Sequence, residues 1–172
     1  AQIKFVSTKI GGGADGSITP DTQAPGSYIV VGGGNDIWSA ADEFTFHYFP
    51  QAGSFDFRVR VESLEPNAPK TKAGLMLRES VNGNSRMAYV RVTPTGPTFN
   101  KSTGANDVRF QYRTGTTSAA QGEHEDPAAG FPAPGYPNAG LRLVRLGNIL
   151  VAYHSTDGSH WQLLGGTPSW DG

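Results

Sequence analysis

The chain has 172 residues, with 14 Lys and Arg against 15 Asp and Glu and a net charge of −1. That balance excludes the concentrated basic field needed to bind nucleic acid or an anionic membrane, and the length suits a single domain, residues 1–172, with a sizeable core. Cysteine is absent, which excludes disulfides, thiol chemistry and Cys-ligated metal, and no apolar run reaches transmembrane length.

The 23 glycines and 12 prolines fall between short apolar segments, as turns between strands do. Low charge, few Lys and an Ala-Gln start without Met point to a processed, exported bacterial protein, secreted or held at the cell surface.

In chain order, Ile3 to Ser7 alternates and predicts a first strand. Gly11 to Gly16 is a loop, and Tyr28 to Val31 a short apolar strand. The densest chemistry lies from Gly32 to Tyr48. A glycine run leads into Asp36-Ile37-Trp38, then small residues, then the paired acids Asp42-Glu43, then an aromatic strand from Phe44. Phe55, Phe57, Val59 and Val61 alternate with Asp56, Arg58, Arg60 and Glu62, the pattern of a strand buried on one face. Ala73 to Glu79 is more evenly apolar and predicts a central strand, with Arg86 to Thr93 paired back onto it across Asn82-Gly83-Asn84.

Val108, Phe110 and Tyr112 alternate with Arg109, Gln111 and Arg113. Thr114 to Asn138 is a long Pro- and Gly-rich loop containing Glu123-His124-Glu125-Asp126, Phe131 and Tyr136, and ordered domains rarely carry such loops unused. Leu141–Leu146 and Ile149–Ser155 form a hairpin across Gly147-Asn148, and His160 to Leu164 returns after the Asp157-Gly158 turn. No segment sustains a 3.6-residue period. The expected fold is all-β, a two-sheet antiparallel sandwich or barrel.

The segments Gly32–Phe44, Phe55–Ser80, Arg86–Gly96 and Leu141–Gly165, in that order, resemble the concanavalin A-like lectin/glucanase superfamily, in its bacterial regulation-of-enolase-like group. The resemblance implies a jelly-roll of two antiparallel sheets, one of them concave, in a secreted or surface protein concerned with carbohydrate binding or structure. Members usually continue beyond a strand like that of Trp161 with one or two more, so the resemblance implies either a sandwich lacking its last strands or an edge that something else fills, for which a neighbouring chain could donate a strand. Ser155 to Trp161 also resembles the structural Asp-box hairpin of sialidases, shortened by one residue.

Several constellations are candidates for function. A retaining glycosidase needs two carboxylates about 5–5.5 Å apart. Asp42 and Glu43 are adjacent and point to opposite faces if extended, and Asp56 and Glu62 lie too far apart along one strand, so hydrolysis is not the expected activity. Asp36, Asp42 and Glu43 are hard oxygen ligands suited to Ca²⁺, or they cap backbone amides at the strand entry. Trp38 is either a sugar-stacking platform or a corner plug.

Arg58, Arg60, Tyr89, Arg91, Arg109, Gln111 and Arg113 occupy the polar positions of alternating strands. Side by side they make an Arg-rich sheet surface suited to an acidic glycan, or a solvated face paired with Asp56, Glu62 and Glu79. The single His of Glu123 to Asp126 is fewer than Zn requires. Phe131 and Tyr136 are the expected interface anchors of an oligomer or larger surface assembly. The reading is therefore a non-catalytic module that binds a polysaccharide, or alternatively a structural subunit of a filament or surface layer.

Overall fold

The computed structural model describes residues 3–95, 107–123 and 133–170. These residues form twelve strands and no helix. The strands are β1 (Val6–Ile10), β2 (Ser17–Pro20), β3 (Tyr28–Val31), β4 (Phe44–Tyr48), β5 (Phe55–Val61), β6 (Ala73–Arg78), β7 (Met87–Val92), β8 (Val108–Arg113), β9 (Gln121–Glu123), β10 (Ala139–Leu146), β11 (Ile149–Ser155) and β12 (Gln162–Gly166). Every pairing is antiparallel.

Two four-stranded sheets, ordered β6-β7-β8-β9 and β12-β11-β10-β5, make up the body, and β1-β4 and β2-β3 are two-stranded ribbons. The core follows from the period of two. Ala88, Val90 and Val92 of β7 and Val108, Phe110 and Tyr112 of β8 meet Leu141, Leu143, Leu150, Ala152 and Leu164 of the other sheet. Each Val, Leu or Phe side chain among them gains about 1.5–3 kcal/mol on burial. The result is the predicted sandwich.

β6 lies at an edge of its sheet, not at the centre as its apolar run suggests. Its composition reflects coverage on both faces: Leu75 and Leu77 pack on the main core, and Met76 on a second cluster behind the sheet. The first strand begins at Val6, where it finds its partners on β4, from Val6 opposite Tyr48 to Ile10 opposite Phe44. Two short strands had no clear sequence signal. β2 ends on a proline, and β9 has three residues within the long loop.

A chain of edge-to-face rings ties the ribbons to the body. Phe5 meets Tyr28 at 5.4 Å and Phe49 at 5.8 Å, and Phe49 meets Phe57 of β5 at 5.5 Å. The hairpin between β10 and β11 turns on Gly147, whose φ of 58° suits a two-residue turn with glycine first. Among the described residues no helix is long and apolar enough to cross a membrane.

Candidate functional site

The alternation of β7 and β8 puts Tyr89, Arg91, Arg109, Gln111 and Arg113 on one sheet face, where Tyr89 lies opposite Gln111 and Arg91 opposite Arg109. That face does not meet solvent. The Ile37–Phe44 segment lies across it, and Ile37, Trp38 and Phe44 pack on Met76, Met87, Tyr89 and Ala120. Trp38 is thus a half-buried corner residue. Burial raises the Tyr89 phenol well above its ordinary range and keeps it un-ionised.

Asp42 is the key of this cover and is fully buried. Arg113 donates to both of its oxygens, Nη2 to Oδ1 at 2.7 Å and Nη1 to Oδ2 at 2.9 Å. Arg78 adds Nη1 to Oδ2 at 2.6 Å. Arg113 also donates to the carbonyls of Ser39 (3.0 Å) and Ser85 (3.0 Å), and Gln111 to that of Ile37 (3.3 Å). Arg113, expected to grip a ligand, thus grips Asp42 and the chain's own backbone.

A second buried acid repeats the arrangement. Asp107 lies 3.1 Å from Nη1 of Arg91 and 3.2 Å from Nε of Arg109, offsetting the repulsion of two arginines directly opposite each other. Lys72 closes this end, donating to Asp36 and, at 3.0 Å, to the Ile37 carbonyl. Burial lowers the Lys72 pKa despite the carboxylate.

The Ca²⁺ expectation does not fit these contacts. Both oxygens of Asp42 are taken by guanidinium groups, Asp36 holds Lys72, and Glu43 pairs by its backbone with Asp36. Among the described residues no three His, Asp or Glu side chains gather as a metal site would need. Tyr136 is half-buried against the chain's own core and donates to the Thr93 carbonyl at 3.0 Å, which leaves it a poor external anchor. Burial pushes its phenol up to about 12. Phe131 and residues 124–126 lie outside the described residues.

Arg58 and Arg60 belong instead to β5, on the other sheet, and both are exposed. Their face is the outer surface of the sandwich, where Arg58 is opposite Arg142, Arg60 opposite Gly140, and Arg142 opposite Tyr153. Asp56 accepts a bidentate pair from Arg142, at 2.8 and 2.7 Å, and longer bonds from Arg58, at 3.4 and 3.0 Å. The Arg142 bonds, then those of Arg58, hold the Asp56 carboxyl well below the usual range. The guanidinium of Arg142 lies 5.1 Å from the Tyr153 ring centre and 5.9 Å from that of Trp161, and Arg58 lies 5.6 Å from Trp161.

Beside Trp161 opens a cleft of about 350 Å³, bordered by Arg58, Arg60, Asn138 and Asp157. Its origin is local. Gly140 faces Arg60 across the ladder with no side chain to fill the space. The Trp161 ring rests on that glycine, so closely that a Cβ there would sit 3.4 Å from Cη2 and 3.1 Å from the Ser155 carbonyl oxygen.

The turn at the end of the cleft is wound around Asp157. Its Oδ1 accepts from the backbone amides of Ser159 and His160, both at 2.8 Å, and its Oδ2 lies 2.6 Å from His160 Nδ1. The His160 amide is the leading cause that holds Asp157 well below the usual carboxylate range, and Asp157 in turn raises the His160 pKa. Trp161 lies half-buried against Arg58 and Arg142 on the outer face. Sequence reading passed over Arg142, Tyr153 and Asn138. The signal was present for Arg142, which alternates with Leu141 and Leu143.

No protein-family model, no curated protein and no solved structure matches the chain.

Proposed function

We propose that this chain is a secreted, non-catalytic carbohydrate-recognition module of concanavalin A-like kind, and that its ligand site is the Trp161 cleft. The observation that carries the reading is a half-buried indole lining a 350 Å³ cleft whose rim holds Arg58, Arg60, Asn138 and Asp157. A sugar offers an apolar ring face and a rim of hydroxyls. An indole complements the first, and guanidinium, amide and carboxylate groups the second. Binding without turnover is supported by the state of the nearby acids. Asp56 is ionised between two arginines, and Asp157 is spent on its own turn, so neither is placed as a proton donor to a glycosidic oxygen.

A glycan array followed by titration calorimetry tests this. Trp161→Ala should abolish binding, with circular dichroism and a thermal melt checking that the variant remains folded at the assay temperature. Undiminished binding by that variant sinks the reading.

A second reading, a structural subunit that assembles with copies of itself, is favoured by β3. Ile29, Val30 and Val31 are three successive β-branched residues with 55%, 60% and 54% of their surface exposed. Neither β3 nor its partner β2 carries a charge, and charges are the usual guard on an open strand edge. Light scattering over a wide concentration range decides it. A strictly monomeric chain, or a Val30→Lys variant that assembles as before, removes this reading.

A further inference from the structure

We infer that the cleft takes an acidic glycan, a polymer of uronic acid units, in preference to a neutral one. The inference rests on the recognition reading above and adds the charge of the ligand.

Arg58 and Arg60 are two residues apart on one face of β5, so their side chains leave the strand about 6.6 Å apart along the same wall of the cleft. Neither is committed to its acid. Asp56 is already satisfied by the two short bonds from Arg142, which leaves Arg58 as the second cation on one carboxylate. The Arg60–Glu62 pair is exposed on both sides, with 60% and 45% of the side chains accessible, and such pairs contribute little to stability. Either guanidinium can turn to a ligand at small cost.

The one acid on the cleft rim forms no ion pair with either of them. Asp157 directs its oxygens to Ser159, His160 and the Ser155 hydroxyl. The cleft therefore presents two forked donors of positive charge beside an aromatic surface. A guanidinium fork matches a carboxylate with two parallel hydrogen bonds. A uronic acid supplies that carboxylate together with a ring face for Trp161, and consecutive units of a polymer supply one for each arginine.

The test is calorimetry of the unaltered chain with polygalacturonate, alginate and hyaluronate, set against fully methyl-esterified polygalacturonate and dextran. At least one acidic polymer should bind about tenfold more tightly than its uncharged counterpart. Arg58→Gln and Arg60→Gln should each remove most of that preference, and Trp161→Ala should remove binding altogether. Circular dichroism checks that each variant is folded.

Equal binding of the esterified and acidic polymers overturns the inference but leaves the recognition reading standing. Failure to bind any of the five polymers overturns the inference, and failure on the glycan array as well overturns the recognition reading. Acidic binding that survives the Arg58→Gln/Arg60→Gln double variant and Trp161→Ala places the charge contact elsewhere and also overturns the inference.

Discussion

Arg113 clasps Asp42 with two parallel hydrogen bonds, 2.7 and 2.9 Å, across 71 positions of sequence, and neither side chain meets solvent. With Arg78 as a third member, the clasp pins the Ile37–Phe44 segment over the back of the β6-β7-β8-β9 sheet. Removing one member strands a buried charge, whereas replacing all three by apolar residues removes the penalty with the bond. Asp42→Ala should cost about 3–5 kcal/mol in urea unfolding. Asp42→Leu combined with Arg78→Met and Arg113→Met should cost much less than the sum of the single changes. A single-variant loss below about 1 kcal/mol would mean that the clasp does not hold the cover in place.

Ser39 is the one described non-glycine residue with a positive φ, 52°. Its carbonyl accepts from Arg113 at 3.0 Å and from the Ala120 amide at 2.6 Å, and these bonds fix a backbone shape that a side chain disfavours. Ser39→Gly should be neutral or slightly stabilising. Ser39→Val should cost about 1–3 kcal/mol, because a β-branched residue tolerates this region least. Thermal melting of the pair separates backbone strain from loss of the exposed hydroxyl, since both variants lose the hydroxyl.

His154 is buried beneath the β11-β12 ladder, and burial lowers its pKa from the ordinary 6.5, against a smaller opposing hydrogen bond with Gln162. The unfolded chain therefore takes up the proton first. Stability from this residue is complete above pH 6.5 and declines as the pH falls from there to the lowered native value. His160 acts in the opposite sense. Its pKa is raised by Asp157, so its contribution is present below 6.5 and fades as the pH rises through the native value. Melting curves between pH 5 and 8 for His154→Gln and His160→Gln should show the two slopes separately. Retention of the full acid-side slope in His154→Gln would reject the first assignment.

Arg142 should matter more to the outer face than its position suggests. It supplies the two shorter bonds to Asp56 and stacks between Tyr153 and Trp161. Arg142→Gln should leave Arg58 as the chief partner of Asp56. If the cleft binds as inferred, affinity for an acidic polymer then drops about as far as in Arg58→Gln, with stability changed by under about 1 kcal/mol. Calorimetry alongside urea unfolding reads both. An unchanged affinity would show that Arg58 is not released by Arg142.

Alternation made most of the strands legible in the sequence, because a ladder with one apolar face writes a period of two. Phe55 to Val61 and Val108 to Arg113 are the clearest cases. The same pattern cannot say what covers the polar face. Arg109, Gln111 and Arg113 read as solvent-facing because arginine is seldom buried, yet Asp42 and Asp107 bring the neutralising charge from outside those strands. Asp42 approaches from a segment with no period at all. The Trp161 cleft was hidden for a different reason. It depends on which residue of β10 stands beside Arg60, and register between strands 80 positions apart is a tertiary fact.

A gap opposite Arg60 is what makes the hollow beside Trp161, and Gly140 keeps it open. A site whose floor is main chain has no rotamers to order when a ligand arrives, so only the rim arginines lose freedom on binding. Changes at 58, 60 and 138 can thus retune which molecule is held without disturbing the sandwich beneath. A methyl group at 140 would press on the indole and the neighbouring strand, coupling the shape of the hollow to a single carbon atom.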